Sequence, residues 1–190
     1  IGLWLGDGHT HDVGITTMDK VIVKYLMGLS KKLKLKITTQ SKDNNRASIY
    51  SLVRAKRFLP KSSRSKAGYG DIVSLKESMK KLNVIGNKHI PDIYLLNSKK
   101  NRLKLLAGLI DSDGHYPPCD GNEPYEITIK NKNLAEQIKF LCDSLGYSSS
   151  FKKRKAKCQN GYTGNVYRVR FNGNIDEIPV KLIHKRAKKW

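Results

Sequence analysis

Acidic residues are scarce: 16 Asp and Glu stand against 37 Lys and Arg, a formal charge of +21. A chain this basic repels itself and calls for a polyanionic partner, so DNA, RNA and anionic membrane are what charge alone leaves open. Cysteine is scarce too, at three. Cys119, Cys142 and Cys158 form no Cys-x-x-Cys pair, and an odd count is a poor disulfide framework. They read as reduced thiols of an intracellular protein, the nucleus if the host is eukaryotic, and they argue against a zinc site. No apolar run reaches the roughly 20 residues of a membrane span, and no secretory signal is visible. The chain opens on Ile1 rather than Met, as a fragment or excised domain would.

What is present is a core of modest size, with 38% apolar residues in a chain of 190. That length fits one domain or two small ones. The stretch Leu106-Ala107-Gly108-Leu109-Ile110-Asp111-Ser112-Asp113-Gly114 is apolar or small at its start, as a buried helix requires. Ala107 and Gly108 leave room for a second helix to approach closely. Asp113 then puts a carboxylate at the negative pole of the helix dipole, costing about 0.3–1 kcal/mol unless a cation sits there. A second stretch of this kind, Ile1-Gly2-Leu3-Trp4-Leu5-Gly6-Asp7-Gly8, opens the chain. Asp7 and Asp113 occupy equivalent places. His9 and His115 each follow an Asp-Gly, either near such a site or in a solvated loop.

The rest of the chain repeats an order. Apolar spacing predicts a helix from Lys20 to about Lys31, capped by Asp19. Lys34 to Gln40 alternates, with Leu35 and Ile37 inward. Arg46 to Arg54 alternates as well, with Ala47, Ile49 and Val53 as the core face and Arg46, Ser48, Tyr50 and Arg54 opposite. Lys61–Gly70 reads as a mobile loop and 71–82 as a helix. In the second half, Tyr125 to Lys130 alternates, and 131–145 reads as a helix with Leu134, Ile138, Leu141 and Leu145 on one stripe, stopped by Gly146. Ser148 to Lys153 and Val166 to Asn172 are strand candidates, and a last helix is expected over 180–189. The segments 19–35 and 131–147 align as helix, breaker, strand. The repeat of about 90 residues is too long for a solenoid and divides the chain at 1–98 and 99–190.

The stretch Leu106–Gly114 resembles the LAGLIDADG motif of homing endonucleases, with Ser112 the one departure, and Ile1–Gly8 is similar to the looser first copy of two-motif members. The resemblance implies an α+β fold of two pseudo-twofold-related αββαββα halves, with saddle-shaped antiparallel sheets and two central motif helices. It implies a monomeric, site-specific enzyme that cuts both strands of DNA at a long asymmetric target, leaving short 3′ extensions, with no membrane or protein partner required.

Two carboxylates brought together at the helix ends cannot both stay ionised without a cation. Oxygen-only ligands suit Mg²⁺, here two or three divalent ions shared by Asp7 and Asp113. The resemblance adds the carbonyls of Gly6 and Ser112 as metal-facing groups and makes Asp111 structural. Lys88 before His89-Ile90-Pro91 resembles an active-site lysine of an intein-embedded vacuolar-ATPase member, and the ending Lys188-Lys189-Trp190 resembles that member's second one. Lys88 and Lys189 are thus implied as catalytic, with Lys185, Arg186 and Lys188 as close rivals of Lys189. An intein-embedded or free-standing mating-type-switch-like enzyme are both compatible.

A basic sheet suits the major groove, where base edges are distinguishable. Lys34, Lys36, Arg46, Tyr50, Arg54, Lys130, Arg168 and Arg170 fall on faces expected to point away from the core. The run Lys152-Lys153-Arg154-Lys155-Ala156-Lys157 reads as a phosphate-binding loop or a nuclear-import signal. The rival readings are a maturase-like member that binds DNA or RNA without cutting and a basic ribonucleoprotein component. Neither explains the paired acids.

Overall fold

The computed structural model describes residues 1–41, 47–54, 74–117, 123–157, 161 and 163–188. Arg46, Lys189, Cys119, Cys158 and the Lys61–Gly70 stretch lie outside the described residues. The chain forms two compact units, one of Ile1–Asp7 with Lys88–Trp190 and one of Gly8–Asn87. This is a division by contact, drawn elsewhere than the repeat halves 1–98 and 99–190.

The unit Gly8–Asn87 holds β1 (Ile15–Thr17), α2 (Lys20–Lys32), β2 (Leu35–Gln40), β3 (Ser48–Arg54) and α3 (Leu75–Lys81); α1 (Gly2–Asp7) precedes it in the chain. Its antiparallel sheet has the order β1-β3-β2. Asp19 caps α2, its carboxylate accepting from the Val21 and Ile22 amides at 2.7 and 3.4 Å. Ile22, Leu26 and Ser30, one turn apart, are the buried stripe of α2. Val21 and Met27, apolar but off this stripe, are exposed.

Pairing corrects one face of this sheet. Ile37 lies opposite Leu52, and Thr39 and Ile15 lie opposite Tyr50. Leu52 is buried, so Tyr50 and Arg54 share its side, and Ile49 and Val53 lie on the side of Lys36. The sequence Ile49-Tyr50-Ser51-Leu52-Val53 carries apolar side chains at both parities, and only the pairing with β2 decides between them. Arg54 is engaged by Glu77 of α3 at 3.0 Å. Lys34 stands in the left-handed turn before β2 rather than in the strand, with φ 54°.

The other unit holds α1, α4 (Asp92–Leu95), α5 (Lys99–Asp113), β4 (Gly114–His115), β5 (Tyr125–Ile129), α6 (Lys132–Ser144), β6 (Ser148–Lys157) and β7 (Thr163–Asn172), with 3-10 turns at Ile175–Glu177 and Ile183–Lys185. Its antiparallel sheet runs β4-β5-β7-β6. One face carries Tyr125, Ile127, Val169 and Phe171, all essentially inaccessible, packed beneath α5 and α6. Leu134, Ile138 and Leu141 of α6 are buried, as its stripe predicts.

Two expectations fail in this unit. The basic run is no loop: it belongs to β6, paired with β7 from Ser148 against Asn172 to Lys157 against Thr163. The last helix is not formed either; the described part of 180–189 is extended around the turn Ile183–Lys185. Ile178, Val180 and Leu182 are buried at every second residue, which is the period of an extended chain rather than a helix.

Candidate active site

Helices α1 and α5 pack backbone to backbone. A methyl group at Gly2 would stand 2.1 Å from the Leu105 carbonyl oxygen, and one at Gly108 2.6 Å from the Leu3 amide nitrogen. Only glycine at both positions permits so close a crossing. Toward the helix ends, a methyl group at Gly6 would lie 2.1 Å from Ser112 Oγ and 2.8 Å from Asp113 Oδ2, so the first helix closes directly on the last side chains of the second. The Ser112 hydroxyl, in place of the motif's alanine, donates within its own helix to the Gly108 and Leu109 carbonyls at 3.1 Å each.

Each helix end receives a lysine. Lys88 Nζ donates to the Gly6 carbonyl at 2.8 Å. Lys185 Nζ donates to the carbonyls of Ile110, Asp111 and Ser112 at 3.1, 3.0 and 2.8 Å. Gly6 and Ser112 are the residues before the two acids, so the arrangement is the same at both ends. Free C-terminal carbonyls and the negative pole of each dipole are answered by an ammonium group. The two carbonyls that the resemblance offers to metal are therefore the acceptors of these lysines here.

Burial pushes the Asp7 carboxyl above its ordinary range, against the pull of Lys185 and Lys88. Burial first, and the Asp7 charge second, do the same to Asp113. Lys88 is driven below its ordinary value, also chiefly by burial, with Asp113 and Asp7 opposing. Both lysines thus act on both acids. Lys88 Nζ also stands 5.2 Å from the centre of the buried Trp4 ring, a cation–π contact.

Neither lysine is held by its own segment alone. The Lys88 carbonyl accepts from the Asn131 side chain at 2.8 Å, and Gln137 bridges the Ile90 amide and carbonyl at 2.8 and 3.0 Å. On the other side the Tyr125 hydroxyl donates to the Lys185 carbonyl at 2.7 Å and accepts from the Ala187 amide at 2.8 Å. Burial raises that phenol to about 12, so it stays a donor at any physiological pH.

Asp111 is structural, in keeping with the resemblance. Oδ1 accepts from the Lys181 and Leu182 amides at 2.9 and 3.0 Å, tying the C-terminal segment to α5. The lysine at the α5 end is one of several basic neighbours that the sequence leaves equivalent. Lys189 is outside the described residues, and Lys185, one of its rivals, is the residue on the helix end. The readable signal was the alternation from Ile178 to Leu182, which places the turn and hence Lys185. His9 Nε2 lies 2.8 Å from Thr16 Oγ1 within its own unit, and His115 is exposed on β4, opposite Glu126.

Lys152, Arg154, Arg168 and Arg170 line one shallow depression with Ser150, on the face of the β4–β7 sheet away from its core. Lys153 pairs with Tyr167 and belongs to the opposite face. Lys36 and Lys130 are exposed.

Asp7 and Asp113, with carbonyl oxygens beside them, fit a hard divalent cation: two desolvated carboxylates raise each other's cost of ionisation, and a cation relieves it. Among the described residues no group of three or more His, Cys, Asp or Glu side chains adds to them.

Comparison with known proteins agrees with this architecture. Residues 100–176 match the LAGLIDADG-like domain. The fold, mixed helix and antiparallel sheet, is that of the LAGLIDADG homing endonuclease I-DmoI. The structure of I-DmoI in complex with DNA and Ca superposes with a TM-score of 0.53 at 16% identity, over 90% of this chain and 78% of that one. Its complex with DNA and Mn gives 0.54 at 16%, over 90% and 85%. By sequence, the chain is 30% identical over 117 residues to the replicative DNA helicase DnaB of Mycobacterium intracellulare, covering 60% of this chain and 20% of that protein. It is 29% identical over 160 residues to the ATP-dependent DNA helicase Hel308 of Thermococcus kodakarensis, covering 79% and 13%. The chain therefore spans a fifth or less of the length of these relatives.

Proposed function

We propose that this chain, which carries a LAGLIDADG-like domain over residues 100–176, is a site-specific endonuclease that hydrolyses both strands of duplex DNA. The observation that carries this reading is the pairing of two acids at adjacent helix ends, each preceded by a carbonyl bonded to a distant lysine: Asp7 with Gly6 and Lys88, Asp113 with Ser112 and Lys185. Binding alone has no use for two desolvated carboxylates in a protein of charge +21. The structural neighbours in complex with DNA and a divalent ion support the same reading.

Asp7 and Asp113 would hold the divalent ions, Mg²⁺ being the natural choice, with the Gly6 and Ser112 carbonyls beside them. When bound, such ions activate water and stabilise the charge developing on a phosphodiester. The chain itself supplies the rest. Its two acids mark a centre for each strand, and the Lys88 and Lys185 ammonium groups bring positive charge to the scissile phosphates. Lys189 stays in this proposal as a second basic group of the same segment. Lys36, Lys130, Lys152, Arg154, Arg168 and Arg170 hold or read the duplex, and the enzyme acts as a monomer.

The similar segments lie in a helicase that is replicative, in one that is ATP-dependent, and in a DNA polymerase of Thermococcus litoralis, of which the match covers 5%. A module recurring as a small part of two helicases and a polymerase supports an inserted, intein-borne endonuclease.

The test is cleavage of a supercoiled plasmid library with Mg²⁺ and with EDTA. The wild type is expected to give discrete Mg²⁺-dependent linear products, and Asp7→Asn and Asp113→Asn each to lose at least about a hundredfold in rate. Salt-sensitive DNA binding, with cleavage absent from a library containing the bound site, would leave the maturase-like reading instead.

A further inference from the structure

Glu126 is the one carboxylate on strands β4, β5, β6 and β7. It lies directly opposite Arg170 in the ladder and diagonal to Arg168. Its Oε1 approaches Arg168 Nε at 3.0 Å and its Oε2 approaches Arg170 Nε at 3.7 Å. One carboxylate thus spans two guanidinium groups, one oxygen to each. The Arg168 contact lacks hydrogen-bond alignment, so the pairing is electrostatic. All three side chains are partly accessible, at 22% for Glu126, 33% for Arg168 and 48% for Arg170.

A carboxylate on a face meant for a polyanion repels phosphate, so Glu126 weakens general affinity. What it supplies is order. Both closest approaches are through Nε, the guanidinium edge nearer the backbone, which leaves the Nη pair at the far end for another partner. That pair matches O6 and N7 of guanine. The neighbouring Lys152 and Arg154 of the same depression have no carboxylate beside them on these strands and suit phosphates. Arginines two residues apart on one antiparallel strand are separated by about 6.8 Å. Successive bases along a DNA strand are spaced by about 3.4 Å, so the two arginines span about two base steps.

We infer that Glu126 is a positioning residue that sets Arg168 and Arg170 to select two guanines separated by one base pair in the DNA target. The inference rests on the duplex-binding reading above and deepens it. Arg168 and Arg170 touch the bases; Glu126 acts through them.

The experiment is selection of bound duplexes from a random library by the full chain in EDTA, so that nothing is cut, followed by sequencing. The wild-type pool is expected to contain two G·C columns with one base pair between them. Arg168→Ala should erase one column and Arg170→Ala the other. Glu126→Gln should flatten both by about tenfold, the scale of one bidentate contact, while retention on random DNA at fixed salt stays equal or rises and the melting temperature is unchanged. A double Arg168→Lys, Arg170→Lys variant keeps the charge, loses the fork, and should lose both columns. Columns that survive Glu126→Gln or the double lysine variant would overturn the inference. So would a cytosine column lost with Glu126 while the guanines persist, because Glu126 would then read a base itself. Absence of any salt-dependent duplex binding would overturn the DNA reading as well; binding without the guanine columns would overturn this inference alone.

Discussion

Helix α1 spans Gly2–Asp7 and α5 spans Lys99–Asp113, and each stops at an aspartate whose preceding carbonyl accepts from a lysine far along the chain. Their supports differ. The long helix is clasped along its length by the C-terminal segment: Glu177 reaches Lys99 at 2.8 Å, Asp111 holds the Lys181 and Leu182 amides, and Lys185 takes three carbonyls of the last turn. The short helix has its packing against α5, the bond from Lys88 to Gly6 and the Lys88 contact with the Trp4 ring. Equivalent chemistry at the two ends therefore rests on unequal supports. What the halves share is the acid, the carbonyl and the ammonium; what differs is everything that holds them.

The comparison is broken most severely at the crossing itself. Gly108→Ala puts a methyl group 2.6 Å from the Leu3 amide nitrogen, and backbone cannot yield as a side chain does. It should destabilise by about 3 kcal/mol, read from the denaturation midpoint, and it should disturb both helix ends together. A cost near zero would mean that α1 is not seated on α5 as described.

Asp111→Ala removes only a support of the long helix. It leaves the Lys181 and Leu182 amides without their acceptor, which costs about 2 kcal/mol. Denaturation should show this loss while base preference is unaffected, since Asp111 lies on none of the strands proposed to meet DNA.

The mildest change is at the far end of α5. The hydrogen bond from Lys99, with that from the Tyr147 hydroxyl, holds Glu177 below its ordinary value. A depressed carboxyl stabilises the fold above the ordinary glutamate range and loses that contribution as pH falls through its folded value. Lys99 is mostly exposed, so Glu177→Gln should cost only about 0.5 kcal/mol at neutral pH, shrinking to nothing in acid. The readout is the difference in denaturation midpoint between wild type and variant across pH; a difference that grows in acid would contradict the sign.

Much of this was legible in the sequence, because the relevant signals are local. The motif gave the acids and the glycine crossing. Asp19 and Asn131 begin helices α2 and α6 as caps, and each helix ends at a leucine followed by a residue of positive φ, Lys34 in one and Gly146 in the other. A lysine in that position carries no sequence signature of a turn, so the alternation of the sequence runs through Lys34 as if it belonged to the strand. The parity of β3 is not readable from the sequence because Leu52 and Val53 are adjacent and only β2 distinguishes them. The Lys185 contact was lost for a similar reason: a lysine on a distant carbonyl leaves no periodic trace, and the cluster of basic residues around it offers several equal choices. Gly114 has an ordinary φ of −75°, but a methyl group there would stand 2.5 Å from the Ile110 Cα, so space rather than backbone conformation requires glycine.

The most direct test of the central claim, two lysine-completed helix ends forming one two-strand centre, is a time course of plasmid cleavage by Lys88→Met and Lys185→Met. Each variant should slow one strand and accumulate nicked circles where the wild type passes to linear product, and the double variant should stall at both strands. If either single variant linearises the plasmid at the wild-type rate with no nicked species, its lysine has no part in the centre and the equivalence of the two ends is wrong.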